Sequence, residues 1–173
     1  MTDEKSDLIG LSQSKIYESL IANELIEAKD KFRVKQIWHW LYNKGVIDFE
    51  KMSSISKELR SALPEFYQIK RPTIQTHEKS TDGTQKWLFK LHDGNLIETV
   101  FIPEDNRGTL CVSSQVGCTL NCTFCYTGTQ KLVRNLTSEE IVSQLLVAKD
   151  ELSDWSNKHG RKISNVVFMG MGE

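Results

Sequence analysis

The stretch Thr109-Leu110-Cys111-Val112-Ser113-Ser114-Gln115-Val116-Gly117-Cys118-Thr119-Leu120-Asn121-Cys122-Thr123-Phe124-Cys125 runs from an alternating segment into a thiol-rich loop. In the first half Leu110, Val112 and Val116 share one face, and Thr109, Cys111, Ser113 and Gln115 the other. This is the pattern of a strand with an apolar side to pack and a polar side to line a pocket. The second half places Cys118, Cys122 and Cys125 within eight residues, close enough for soft thiolates to wrap one metal centre. Structural zinc asks for four ligands, commonly as two separated knuckles, and neither His92 nor His159 is near in sequence. A four-iron cluster normally takes four thiolates, so three would leave one iron open to a further ligand. Zinc and an inert thiol cluster remain the alternatives.

Working outward, Thr137 and Glu140 form a capping box that opens a helix through Ile141, Leu145, Leu146 and Ala148. Asn165 to Met169 is short, apolar and β-branched, as expected of a buried strand. Strand, helix, strand in that order predicts a βαβ unit with a parallel sheet, hence an α/β fold. Upstream, Trp87 to Leu91 and Leu96 to Ile102 flank His92-Asp93-Gly94-Asn95 and predict a hairpin, followed by a polar loop from Pro103 to Gly108. Helices are expected at Lys15 to Ala28, with Ile16, Leu20, Ile21, Leu25 and Ile26 roughly on one side; through Val34, Ile37, Trp38 and Leu41, ended by Gly45; and from Ser56 to Leu63, stopped by Pro64. The expected organisation is a helical domain at 1–72, a β-hairpin connector at 73–108 and an α/β core at 109–173. No internal repeat is present.

Composition is that of an ordinary globular protein: 173 residues, formal net charge −1, 39% hydrophobic and 26% charged. No stretch approaches the ~20 apolar residues of a membrane span. Met1 to Gly10 has no apolar core of a secretory signal. All four cysteines lie between 111 and 125, which is not how a disulfide-stapled secreted domain distributes them. A cytoplasmic setting is therefore expected. The sequence stops at Gly170-Met171-Gly172-Glu173, directly after an apolar run, as expected of a piece of a longer chain.

Residues 28–71 hold ten Lys and Arg against five Asp and Glu. Lys29, Lys31, Arg33 and Lys35 alternate along one short stretch, which reads either as a solvated helix face or as a phosphate-binding surface. Trp38 falls on the Val34, Ile37 and Leu41 face and is expected in the core. Trp40 and Tyr42 lie off that face and are open to base stacking or to packing.

The three-cysteine spacing, with Phe124 before the last thiol, resembles the signature of radical S-adenosylmethionine (SAM) enzymes. Asp82 to Trp87, Ile97 to Val100, Leu110 to Cys118 and Thr127 to Gln130 narrow the resemblance to the RlmN/Cfr-type RNA methyltransferases, on the branch that methylates adenine C2. Phe32 to Trp40 and Asp48 to Met52 resemble the same family's N-terminal helical domain, so the resemblance covers nearly everything from about residue 30 onward. Tyr126 and Lys131-Leu132-Val133 depart from its common pattern without touching a ligand position.

The resemblance implies the start of a partial (β/α)6 barrel, truncated after its second strand, with a 4Fe-4S cluster on Cys118, Cys122 and Cys125. It implies SAM bound partly by Gly172 and Glu173, 23S rRNA and tRNA as partners, an electron donor, and a monomer. Adenine C2 lies between two ring nitrogens and is electron-poor, so it does not attack the methyl of SAM directly. The family's route uses one SAM to methylate a C-terminal cysteine and a second as radical source. Glu98 matches the proton acceptor and Cys111 the cysteine of a transient disulfide.

On the residues alone, Glu98 shares a strand face with Leu96, Val100 and Ile102, where a carboxylate would be desolvated and its pKa raised; an edge-strand acid reaching solvent is the other reading. Cys111 alone reads equally as a small buried thiol. The methyl-carrying cysteine is not among the four present. The alternative from another class is an inactive truncated product that at most binds RNA through 28–71 or a metal through its thiols.

Overall fold

The computed structural model describes residues 5–105, 107–120, 122–156 and 160–172, and divides into two compact units, 1–70 and 71–173. The first unit is three helices, α1 (Gln13–Ala22), α2 (Phe32–Tyr42) and α3 (Lys57–Phe66), tied by a two-residue parallel pair of β1 (Ser6–Asp7) with β2 (Tyr67–Gln68). Ser12 caps α1 by accepting from the Lys15 N–H at 3.2 Å, and Ser56 caps α3 by accepting from Leu59 at 3.4 Å. Ile16, Leu20, Val34, Ile37, Leu41 and Leu63 are its buried centre. Each such side chain contributes about 1.5–3 kcal/mol on leaving water.

Two helix ends differ from expectation. α1 stops at Ala22, not Ala28: Glu24 takes a left-handed φ of 56°, and the Leu25 N–H turns back to the Leu20 carbonyl at 2.9 Å. Leu25 and Ile26 therefore leave the helix. α3 runs through Pro64 to Phe66, because a proline this near the end removes only one intrahelical hydrogen bond, and the Tyr67 N–H still reaches the Leu63 carbonyl.

The second unit is built on a five-stranded sheet in the order β3 (Thr73–Lys79), β4 (Gln85–Lys90), β5 (Leu96–Glu104), β6 (Arg107–Cys111), then β9 (Asn165–Val167). The first four are antiparallel and β9 joins β6 in parallel, so the hairpin strands and the βαβ unit share one sheet. The β3–β4 and β4–β5 hairpins both turn on Asp-Gly. Gly83 and Gly94 have φ of 87° and 84°, and Asp82 and Asp93 accept from the N–H groups of Thr84 and Asn95. β3 was not expected, because all seven of its residues are exposed and carry no apolar alternation. The stretch expected as a loop, Pro103 to Gly108, instead belongs largely to β5 and β6, where Pro103 pairs with Gly108.

The helix α4 (Ser138–Glu151) opens on the Thr137/Glu140 capping box and covers one face of the sheet. There Val147, Ala148 and Leu152 share a core with Trp87, Phe89, Ile97, Phe101 and Leu110. Two short strands, β7 (Gln115–Val116) and β8 (Arg134–Asn135), pair across the base of the cysteine loop. β9 is not the buried strand expected: Val166, Phe168 and Met169 around it are 46%, 55% and 62% exposed, because no described element packs over its outer side.

Candidate active site

β5 and β6 bring two of the expected site residues onto one surface. Cys111 is the register partner of Val100, so its side chain emerges on the face that also carries Glu98, two residues along β5. This is the face opposite the α4 core, and the half that was expected to be apolar and desolvating is the open one. Ile97, Thr99 and Phe101 are buried, whereas Leu96 and Ile102 are exposed and Glu98 and Val100 half-buried. The Glu98 side chain is 44% exposed and lies 3.6 Å from Lys86 Nζ. Desolvation therefore gives no account of Glu98 as a base; its neighbour is a cation and its surroundings are open. Cys111 is half-buried, and none of the four cysteines is in a disulfide.

The expected polar strand face ends at Cys111. Ser113, expected to line a pocket, is fully buried. Its hydroxyl donates to the Glu98 carbonyl at 2.7 Å and accepts from the Met171 N–H at 3.0 Å. One side chain thus joins the Glu98 strand to the glycine-rich turn that follows β9. The turn is held further by the Gly170 N–H on the Val112 carbonyl, by the N–H groups of Ser114 and Gln115 on the Met171 carbonyl, and by the Ser114 hydroxyl on the Gly172 carbonyl. The glycines allow this approach. A Cβ on Gly170 would sit 2.7 Å from Ser113 Oγ, and one on Gly172, whose φ is 93°, would sit 2.4 Å from the Gln115 side chain. Glu173 lies outside the described residues.

Gln144 of α4 locks the same region from beneath. Its carbonyl oxygen accepts from the Thr99 hydroxyl and the Ser113 N–H, both at 2.8 Å, and its amide donates to the Ser113 carbonyl at 2.9 Å. All of these groups are buried and satisfied, which makes the junction of β5, β6 and α4 rigid. Sequence reasoning missed Gln144 and the linking role of Ser113. The available signal was an amide three residues after Ile141, on the stripe that α4 turns to the core.

The cysteine loop is closed at its neck. Gly117 has φ 76°, and a Cβ there would lie 2.1 Å from the Lys131 carbonyl oxygen, so only glycine permits the bridge of Cys118 with Lys131. Within the loop the Cys125 N–H donates to the Cys122 carbonyl at 3.2 Å and the Gly128 N–H to the Cys125 carbonyl at 3.0 Å. Cys118, Cys122 and Cys125 line one cavity of about 240 Å³, with Phe124, Gly128 and Gly170 among its walls. The donor type fits a thiolate-bound metal cluster, and the cavity reaches the glycine-rich turn at Gly170. Among the described residues, however, no three His, Cys, Asp or Glu side chains converge closely enough to hold a metal ion as they stand. Phe124 and Tyr126 are 92% and 82% exposed.

Below the loop, Arg134 on β8 is bidentate to Glu140 at 2.8 and 2.7 Å and also reaches Asp93 at 2.8 Å. Desolvation would raise the Asp93 carboxyl, but hydrogen bonds from Asn95 and Arg134 outweigh it and hold its pKa down at about 2.

In the first unit the basic stretch runs from a 3₁₀ turn into α2. Lys29 is paired with Glu27 at 2.7 Å, while Arg33 donates to Gln36 at 3.0 Å and lies over the Phe32 ring. Trp38 is half-buried against Tyr42, ring centroids 4.4 Å apart, rather than in the core. Trp40 Nε1 donates to Ser54 Oγ at 2.8 Å and the Tyr42 hydroxyl accepts from the Gly10 N–H at 3.0 Å, so both rings are tied into the unit.

Residues 6–69 match the family model described as the ribosomal RNA large subunit methyltransferase N-terminal domain. The chain is 53% identical, over 99% of its length, to the dual-specificity RNA methyltransferase RlmN of Zymomonas mobilis, and covers 44% of that protein. It is 52% identical to the RlmN of Rhodopseudomonas palustris, over 98% of this chain and 46% of that protein. A crystal structure of a radical SAM methyltransferase from Sphaerobacter thermophilus superposes with a TM-score of 0.83 at 37% identity, over 97% of this chain and 47% of that one. The α/β architecture is thus that of about half of a radical SAM methyltransferase. Within that class the curated relatives it matches are RlmN proteins, and the chain spans less than half their length. Among the described residues, no helix is long and apolar enough to cross a membrane.

Proposed function

We propose that the protein to which this chain belongs is a radical SAM methyltransferase acting on C2 of adenine in 23S rRNA and tRNA. The observation that carries the reading is the continuity of one cavity from the three thiols to Gly170, with Glu98 tied through Ser113 to the same glycine-rich turn. In this reading β6, α4 and β9 are the first strand, helix and second strand of a partial (β/α)6 barrel.

In this reading Cys118, Cys122 and Cys125 hold a 4Fe-4S cluster, which supplies the electron for reductive cleavage of SAM. The turn at Gly172, with Glu173, binds the methionine end of SAM, because backbone without side chains approaches a ligand closely. The Glu98 carboxylate, held on the open sheet face, accepts the C2 proton of the adenine. Cys111, on that face, closes the transient disulfide with a cysteine outside this set of four. The residues present therefore do not complete the reaction alone; an electron donor and the methyl-carrying cysteine are also needed.

Anaerobic reconstitution of the chain, with iron and sulfide counted, tests the cluster. Uptake of about four irons and four sulfides per chain, lost on replacing Cys118, Cys122 and Cys125 by Ala, is expected; bound zinc without sulfide would sink the reading. Methyl transfer from labelled SAM to adenine C2, measured with the full-length protein, tests the activity.

A further inference from the structure

The first unit carries a notch of about 400 Å³ between α1 and α2, walled by Gln13, Tyr17, Glu18, Lys31, Val34 and Lys35 among others. Its volume falls in the ~300–1,000 Å³ range of small-molecule pockets. We propose that this notch receives one unpaired nucleotide of an RNA strand, a proposal that rests on the reading of RNA as the substrate. The base lies on Tyr17 and the flanking phosphates meet Lys31 and Lys35.

Three features set the notch apart from a merely basic helix face. The Tyr17 hydroxyl donates to the Ala28 carbonyl at 3.4 Å, so the ring is pinned between α1 and the turn that leads into α2. Lys31 Nζ lies 5.7 Å from the centroid of that ring, which presents a π face and a cation together. Lys31 and Lys35 are exposed, and among the described residues neither forms an ion pair, in contrast to Lys29 on Glu27. Buried Val34 makes an apolar floor. Two lysines alone would bind any phosphate; an apolar floor and an aromatic wall add surface that only a base fills. Gln13 offers an amide to a base edge, and Glu18 an acceptor for an exocyclic amine.

The test is binding of a short unstructured oligoribonucleotide of mixed sequence to the 173-residue chain, followed by fluorescence anisotropy over a range of salt. Tyr17→Leu should weaken binding about tenfold without changing the salt dependence, because stacking releases no counterions. Tyr17→Phe should bind like the parent. Lys31→Ala and Lys35→Ala should each reduce the slope of log affinity against log salt by about 0.7. Parent-like binding by Tyr17→Leu would overturn the notch even if the lysine variants flattened the slope, leaving only a basic surface. If Tyr17→Leu loses helix content by circular dichroism, the other variants decide. An unchanged slope in both lysine variants, or a Tyr17→Phe as weak as a lysine variant, then overturns the proposal. None of these outcomes bears on the cluster, whose iron and sulfide content is read separately.

Discussion

Cys111 and Glu98 are diagonal neighbours on one face of the sheet: Cys111 faces Val100 across the β5–β6 ladder, and Glu98 is the next residue of β5 on that side. Diagonal pairs of this kind lie roughly 7–8 Å apart, near enough for both side chains to reach one base-sized ligand. A β5–β6 register shifted by one residue would send Cys111 into the α4 core instead.

Glu98→Gln in the full-length protein should lower methyl transfer by about 10²-fold or more, if the carboxylate takes the C2 proton. The fold should be little affected. Glu98 is half-exposed and its ion pair with Lys86 is a surface pair, so the urea midpoint of the chain should move little. A large drop in stability, or undiminished turnover, would contradict the assignment.

Ser113→Ala should destabilise the second unit by about 1–3 kcal/mol, since it leaves the Met171 N–H and the Glu98 carbonyl without the hydroxyl that joins them. Amide exchange should report it locally, with Met171 losing protection before the α4 core does. Gln144→Leu should cost a similar or larger amount, because Thr99 and the Ser113 backbone lose their buried partner together.

Gly117→Ala should abolish iron uptake while leaving the sheet folded, because the new Cβ meets the Lys131 carbonyl oxygen at 2.1 Å and forces the loop neck open. Gly94→Ala is the comparison. Its φ is also left-handed, at 84°, but nothing lies within 4 Å, so it should cost only about 1 kcal/mol and leave iron uptake intact. Iron content and urea titration of the two variants separate steric closure of the loop from ordinary turn strain.

The Asp93 carboxyl, held at about 2 by Asn95 and Arg134, links stability to pH. Its folded pKa is below the unfolded value, so its contribution is full above pH ~4 and disappears as pH falls toward 2. Asp93→Asn should flatten the fall of the unfolding midpoint across that window and leave the slope between pH 6 and 8 unchanged.

Local signals were legible without coordinates. Thr137 and Glu140 announce the start of α4, Asp93-Gly94 the turn between β4 and β5, and Ser56 the start of α3, because caps and tight turns are satisfied within a few residues of chain. β3 was silent for the opposite reason. Thr73 to Lys79 is held by its ladder with β4 and buries no side chain, so it has no hydrophobic period to read. The end of α1 hid in the left-handed Glu24, a conformation that no residue type at that position advertises.

By itself the sequence determined the α/β class, the order of strand, helix and strand, and the three thiols gathered in one loop, since each depends on residues close along the chain. Tertiary structure alone decided which face of β5 is open, that Glu98 stands beside Lys86 rather than in an apolar pocket, that Ser113 ties the glycine-rich turn to β5, and that Gln144 holds Ser113 and Thr99 in place. These are matters of register and of partners 15 to 58 residues apart, which alternation along one strand cannot encode. A strand's pattern separates its two faces but does not say which of them another element will cover.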